Sequence, residues 1–114
     1  MKKTNYINVL SSKFYAYYFH VENIKEIEEI LLKLKKDNKK AKHIVYAYKI
    51  GTLQKKYSDK EVFSIGGNEI NKIIELKNLD NTLIVIVRYF GGTLLGKGLL
   101  SRTYLKCVTR LLDK

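Results

Sequence analysis

Between Lys13 and Val21 the chain reads KFYAYYFHV, aromatic and β-branched residues with no breaker, which predicts a strand. The preceding YINVL predicts a second, shorter one. From Glu22 the apolar period lengthens: Ile24, Ile27, Ile30, Leu31 and Leu34 recur at three- and four-residue spacing between Glu and Lys, the pattern of an amphipathic helix running to about Asp37. HIVYAYKI, His43 to Ile50, predicts the next strand, with Gly51 as punctuation. TLQKKYSDKEVFS reads as a short strand or hairpin entering a polar loop. After Gly66-Gly67, Ile70, Ile73 and Ile74 predict a shorter helix over Asn68 to Lys77. Asp80-Asn81 is a turn signal, and TLIVIV beyond it is a continuous apolar run, typical of a strand buried on both sides or at a sheet centre. Leu100, Tyr104, Val108, Leu111 and Leu112 predict a last helix over Leu99 to Leu112.

This order predicts an α/β (α+β) fold, a two-layer sandwich of a roughly four-stranded mixed sheet with three helices on one face. The second face is then expected to meet solvent or a partner. Six of the nine tyrosines lie in the clearest strands: Tyr15, Tyr17, Tyr18, Tyr46, Tyr48 and Tyr89. Side chains alternate across a strand, so Tyr15 and Tyr17 share one face and Tyr18 takes the other. Two readings stay open, ordinary strand tyrosines with wettable tips or an aromatic, lysine-rich face on which nucleobases stack.

A length of 114 residues fits one domain spanning the whole chain. A lone cysteine, Cys107, cannot form an internal disulfide, and its apolar-periodic surroundings suit a core residue better than a nucleophile. A reducing, cytoplasmic setting and no membrane span are expected. Charge adds a partner class: the net value of +11 points to ribosome, RNA or another polyanion, or to an acidic protein. Only Arg88, Arg102 and Arg110 are arginine, and 22 basic residues therefore include 19 lysines, a bias that an AT-rich genome also produces. The cluster Lys35, Lys36, Lys39, Lys40 and Lys42 likewise suits a helix C-terminus electrostatically.

The stretch YFGGTLLGKGLLSRTY, residues 89 to 104, nearly has the spacing of a nucleotide-binding phosphate loop. Gly98 stands where such a loop needs a hydroxyl for magnesium, and Leu94 and Leu95 fill its middle, which turns the NTPase reading aside. A glycine-rich link from a strand into a helix N-terminus remains, and such links can hold an anion through free amides.

RYFGGTLLGKGLLSRTY resembles the signature of the IMPACT and YigZ family of translation-linked proteins. SSKFYAYYFHV is similar to its Ser-Lys-Phe strand, AKHIVYAYKIG to its His-containing strand, and SDKE with GGNEI to its Ser-Asp-Asp-Gly-Glu-Pro and Ala-Gly-Lys-Pro-Ile segment. The resemblance implies the family's core domain alone, of the bacterial type and without the usual C-terminal ferredoxin-like domain. It also implies a fold like the second domain of a small-subunit ribosomal protein, and work near translation. The family's polar positions fall on His43, Asp59, Glu61, Arg88, Tyr89, Arg102 and Tyr104, with Gly91, Gly92, Gly96 and Gly98 shaping the loop. Departures fall on Val62 and Glu69, at family prolines, and on Leu99, at a family glycine.

The candidate anion or nucleic-acid site is therefore Arg88, Tyr89, Gly91, Gly92, Gly96, Lys97, Gly98 and Arg102, the alternative being that the arginines form structural ion pairs with Asp59 or Glu61. No catalytic set, metal cluster or cofactor motif stands out. A non-enzymatic ribosome- or RNA-binding domain is the leading expectation. A regulator docking an acidic partner through its lysine-rich helix is the second. A small hydrolase built on His43, Asp59 and Glu61 is the third, and it requires those groups to converge in a pocket.

Overall fold

A computed structural model describes residues 2–114. Lys2–Val9 (β1) and Ser12–His20 (β2) form a hairpin, Ile24–Asp37 is a helix (α1), and His43–Ile50 (β3) and Leu53–Tyr57 (β4) form a second hairpin. After a single 3-10 turn over Val62–Ser64 come a helix at Gly67–Leu76 (α2), a strand at Thr82–Tyr89 (β5) and a last helix at Lys97–Leu112 (α3). The five strands make one sheet in the order β1-β2-β5-β3-β4, and every pairing is antiparallel. Both β2 and β3 run antiparallel to β5, so they are parallel to each other and α1 is the crossover between them.

The α+β class stands, while three particulars differ from the sequence expectation. The sheet has five strands rather than four and is antiparallel rather than mixed. The fifth member is the edge strand β4, the short strand or hairpin read in TLQKKYSDKEVFS, whose LQKKY is exposed at every position and so carries no alternating signal. The helices also divide between the faces. One core joins α2 and α3, through Ile70, Ile74, Leu100, Tyr104 and Val108, to Phe14, Ala16, Val45, Ile84 and Ile86. The other joins Ile27, Leu31 and Leu34 of α1 to Ile44, Leu83, Val85 and Val87. The cause lies in β5. All of TLIVIVR is buried, and a central strand apolar on both sides needs cover on both. Tyr15 and Tyr17 pack with the α1 core and Tyr18 with the other, as alternation along β2 requires.

α1 starts under an Asn23 cap whose Oδ1 accepts from the Glu26 amide at 3.0 Å. α2 starts at Gly66, where the Glu69 carboxylate accepts the Gly66 N–H at 2.7 Å. A glycine has no side chain to return the bond, so only this half of a capping box forms. The proline expected at position 69 is therefore replaced by a residue that fixes the helix start through its carboxylate.

Candidate functional site

Arg88 continues the inward face of β5 past its apolar run, which places a guanidinium under α3. A buried charge requires a buried partner. Glu61 supplies it from the loop after β4: its Oε2 accepts from Arg88 Nη1 at 2.7 Å and from the Tyr104 hydroxyl of α3 at 2.7 Å. The side chains of Arg88 and Glu61 are 6% and 4% exposed, which makes this a buried ion pair rather than a surface contact. Phe14 of β2 closes the base, with the guanidinium 5.5 Å from its ring centroid and the Tyr104 ring edge-on at 5.3 Å. Burial, followed by the charge of Glu61, pushes the Tyr104 hydroxyl well above the ordinary tyrosine range, so it stays a donor.

The loop delivering Glu61 is held open by unusual backbone. Asp59, Lys60, Phe63 and Ser64 all have positive φ, between 47° and 64°. Such conformations persist in non-glycine residues only where surrounding bonds over-determine them. Here Asp59 Oδ2 accepts from the Ile44 amide at 2.9 Å, and Ser58 Oγ donates to the Ser64 carbonyl at 2.7 Å while accepting from the Gly67 amide at 3.0 Å. His43, at the head of β3, lies between the two acids, with Nε2 3.4 Å from Glu61 Oε1 and Nδ1 3.7 Å from Asp59 Oδ2.

Beside this clasp lies a depression of about 470 Å³, lined by Lys42, His43, Lys60, Glu61 and Arg88 together with the apolar Val62, Phe90, Leu94, Leu95 and Leu100. The elbow from β5 to α3 contributes Phe90, Leu94 and Leu95. Gly91 is required there because a Cβ would stand 2.1 Å from the Ser11 carbonyl carbon, backbone against backbone. Gly92 turns the chain at φ 91°. Gly96 is extended and caps α3, and Gly98 sits exposed in its first turn. Lys97, the first residue of α3, places Nζ 4.2 Å from the Phe63 ring centroid.

His43, Asp59, Glu61, Arg88 and Tyr104 thus converge from four separate segments of the chain. Arg88 and Arg102 do not meet: Arg88 is buried against Glu61, and Arg102 is exposed on α3. Tyr89 turns to the opposite face of the sheet, where its hydroxyl donates to Asn38 Oδ1 at 2.6 Å. Phe14 and Asn38 are the contributors that sequence reading missed. A lone arginine ending a fully apolar strand was the available signal for the clasp, since it calls for both a carboxylate and a ring. Among the described residues no group of three or more His, Cys, Asp or Glu is arranged to hold a metal, and no helix is long and apolar enough to cross a membrane.

Residues 10–112 match the sequence profile of the Impact N-terminal domain. The IMPACT family member YvyE of Bacillus subtilis is 34% identical over 110 residues, which cover 94% of this chain and 51% of that protein. The chain therefore spans about half the length of that relative. Among solved structures, the crystal structure of a hypothetical protein superposes with a TM-score of 0.93 at 21% identity, over 99% of this chain and 57% of that one. The two-domain translational regulator Yih1 superposes with a TM-score of 0.60 at 24% identity, over 96% of this chain and 46% of its own. At these identities both structures speak for the fold alone.

Proposed function

This chain belongs to the IMPACT family, and from that premise we propose that it is a non-enzymatic, translation-linked regulatory domain that binds the ribosome or RNA through its basic surface. Yih1, which shares the fold, is described as a translational regulator. The observation that carries the reading is the state of the charges. Of 19 lysines only Lys33 lies within ion-pair distance of a carboxylate among the described residues. Several acids meanwhile turn to backbone or buried partners: Glu61 to Arg88, Asp59 to the Ile44 amide, Glu69 to Gly66, and Asp80 to the amides of Gly51 and Asn81. Lysines that outnumber the acids and make few close carboxylate pairs support a reading in which they meet a phosphate backbone.

Co-sedimentation with purified ribosomes and gel shift of total RNA test this reading. Binding at about 50 mM salt should fall by orders of magnitude by about 200 mM if six or more phosphates are contacted. No binding to either at low salt overturns it.

A second reading, docking of an acidic protein on Lys35, Lys36, Lys39 and Lys40, draws on the exposure of those four residues around the end of α1. Reversing them to glutamate should abolish capture of the protein, and capture that survives the change overturns this docking surface. The hydrolase reading has His43, Asp59 and Glu61 together, but Glu61 Oε2 already serves two donors and no Ser, Thr or Cys lines the depression. Cys107 is fully buried, and its thiol is pushed up to about 12, the opposite of an activated nucleophile.

A further inference from the structure

α1 covers only part of its face of the sheet. It packs over β3 and β5 and leaves a row of half-exposed rings on β1, β2 and the end of β5. Tyr6, Tyr15 and Tyr89 stand side by side across these strands, with centroids 4.9 Å and 5.9 Å apart, and Tyr17 and Phe19 continue along β2 as near-parallel rings at 6.3 Å and 17°. Lysines border them. Lys2 Nζ lies 5.6 Å and 5.9 Å from the ring centroids of Tyr17 and Phe19. A groove of about 360 Å³ is lined by Lys13, Tyr15, Tyr17, Asn38, Tyr89 and Phe90, and it shares Tyr89 with a second depression lined by Lys36, Asp37, Lys39 and Lys40, whose one carboxylate is already paired with Lys33 at 3.2 Å.

We propose that this half-covered aromatic face is a binding platform for single-stranded RNA, its bases stacking on Tyr17 and Tyr89 while its phosphates run along Lys13, Lys36, Lys39 and Lys40. Aromatic rings alternating with cations are what an unpaired strand requires, since every base has a π-face and every linkage a charge. A duplex keeps its bases stacked internally and gains nothing from the rings. An acidic protein would use the lysines but leave the ring faces idle. Single-stranded RNA is therefore the occupant that uses both features. The inference rests on the RNA-binding reading above and assigns it a place and a strandedness.

The chain has no tryptophan, so its emission comes from its nine tyrosines, Tyr17 and Tyr89 among them. The test titrates 12-nucleotide oligouridylate, and an RNA duplex of equal length, into the intact protein and its variants at about 50 mM salt. The wild type should bind the single strand with quenched tyrosine emission. Tyr17→Ala and Tyr89→Ala should each weaken it about tenfold or more, whereas Tyr17→Phe and Tyr89→Phe, which keep the ring, should stay within about threefold. Far-UV circular dichroism and thermal melts certify each fold, and the phenylalanine variants carry the comparison if an alanine variant unfolds. Alanine variants that hold the oligonucleotide as tightly as wild type, or phenylalanine variants as weak as the alanines, overturn the platform while RNA binding itself stands. A wild type that binds no RNA at all overturns both.

Discussion

The two faces of one sheet have opposite fates. Beneath α2 and α3, the polar groups Arg88, Glu61 and Tyr104 are sealed and bonded to one another, with Phe14 as their floor. On the α1 side, five rings lie half-exposed or exposed beside lysines that make no close carboxylate pair. The strands are the same, and alternate residues of β2 serve both: Phe14 and Ala16 are buried, while Tyr15 and Tyr17 are half open. The difference teaches where stability and recognition are divided. Two helices close one face, and a single helix crossing over β3 and β5 cannot reach β1.

The sharpest way to break the closed face is Glu61→Gln, which leaves the Arg88 guanidinium buried without its counter-charge. A loss of about 3–5 kcal/mol in urea unfolding is expected, and Arg88→Met in the Glu61→Gln background should return part of it. Gly91→Ala should come next, at about 3 kcal/mol, because the added methyl meets the Ser11 backbone rather than a movable side chain.

Alkaline pH is a gentler probe of the same face. The Cys107 thiol is raised by burial to about 12, and Tyr104 moves in the same direction. The unfolded chain releases the thiol proton first, near its ordinary value of about 8.5. The contribution is thus intact below that pH and is lost as pH rises toward about 12, by up to about 1.4 kcal/mol per pH unit. Urea midpoints measured from pH 7 to 11 should fall above about 8.5, and Cys107→Ala should flatten the decline.

Tyr17→Ala on the other face should have the smallest effect on stability, about 1 kcal/mol, since that ring is only half buried. Its thermal melt should stay near wild type while its RNA affinity falls. A large stability loss at Tyr17 would show that the open face is a core in its own right and would erase the contrast.

Much of this was legible in the residues. The 3.6-residue period of Ile27, Leu31 and Leu34 placed α1, the run TLIVIV placed the central strand, and the four motif blocks placed the chain in its family. β4 was legible as a short strand or hairpin within TLQKKYSDKEVFS but not in its bounds, because an exposed edge strand buries nothing that could impose alternation. The candidate site was legible as separate residues. His43, Asp59, Glu61, Arg88 and Tyr104 could be named, but not which of them bond.

The sequence alone therefore determined the order of elements, the need to cover β5 and the positive charge, since these depend on local periodicity and composition. Only the tertiary structure decided the side of the sheet α1 crosses, the carboxylate that answers Arg88 and the tyrosines left facing outward. Those outcomes depend on contacts across long separations, such as Glu61 to Arg88 and Glu61 to Tyr104, 27 and 43 residues apart. The glycine elbow shows both halves of this division. Its glycines were plain in the chain, but the requirement for Gly91 arises only because the fold brings the Ser11 backbone against it.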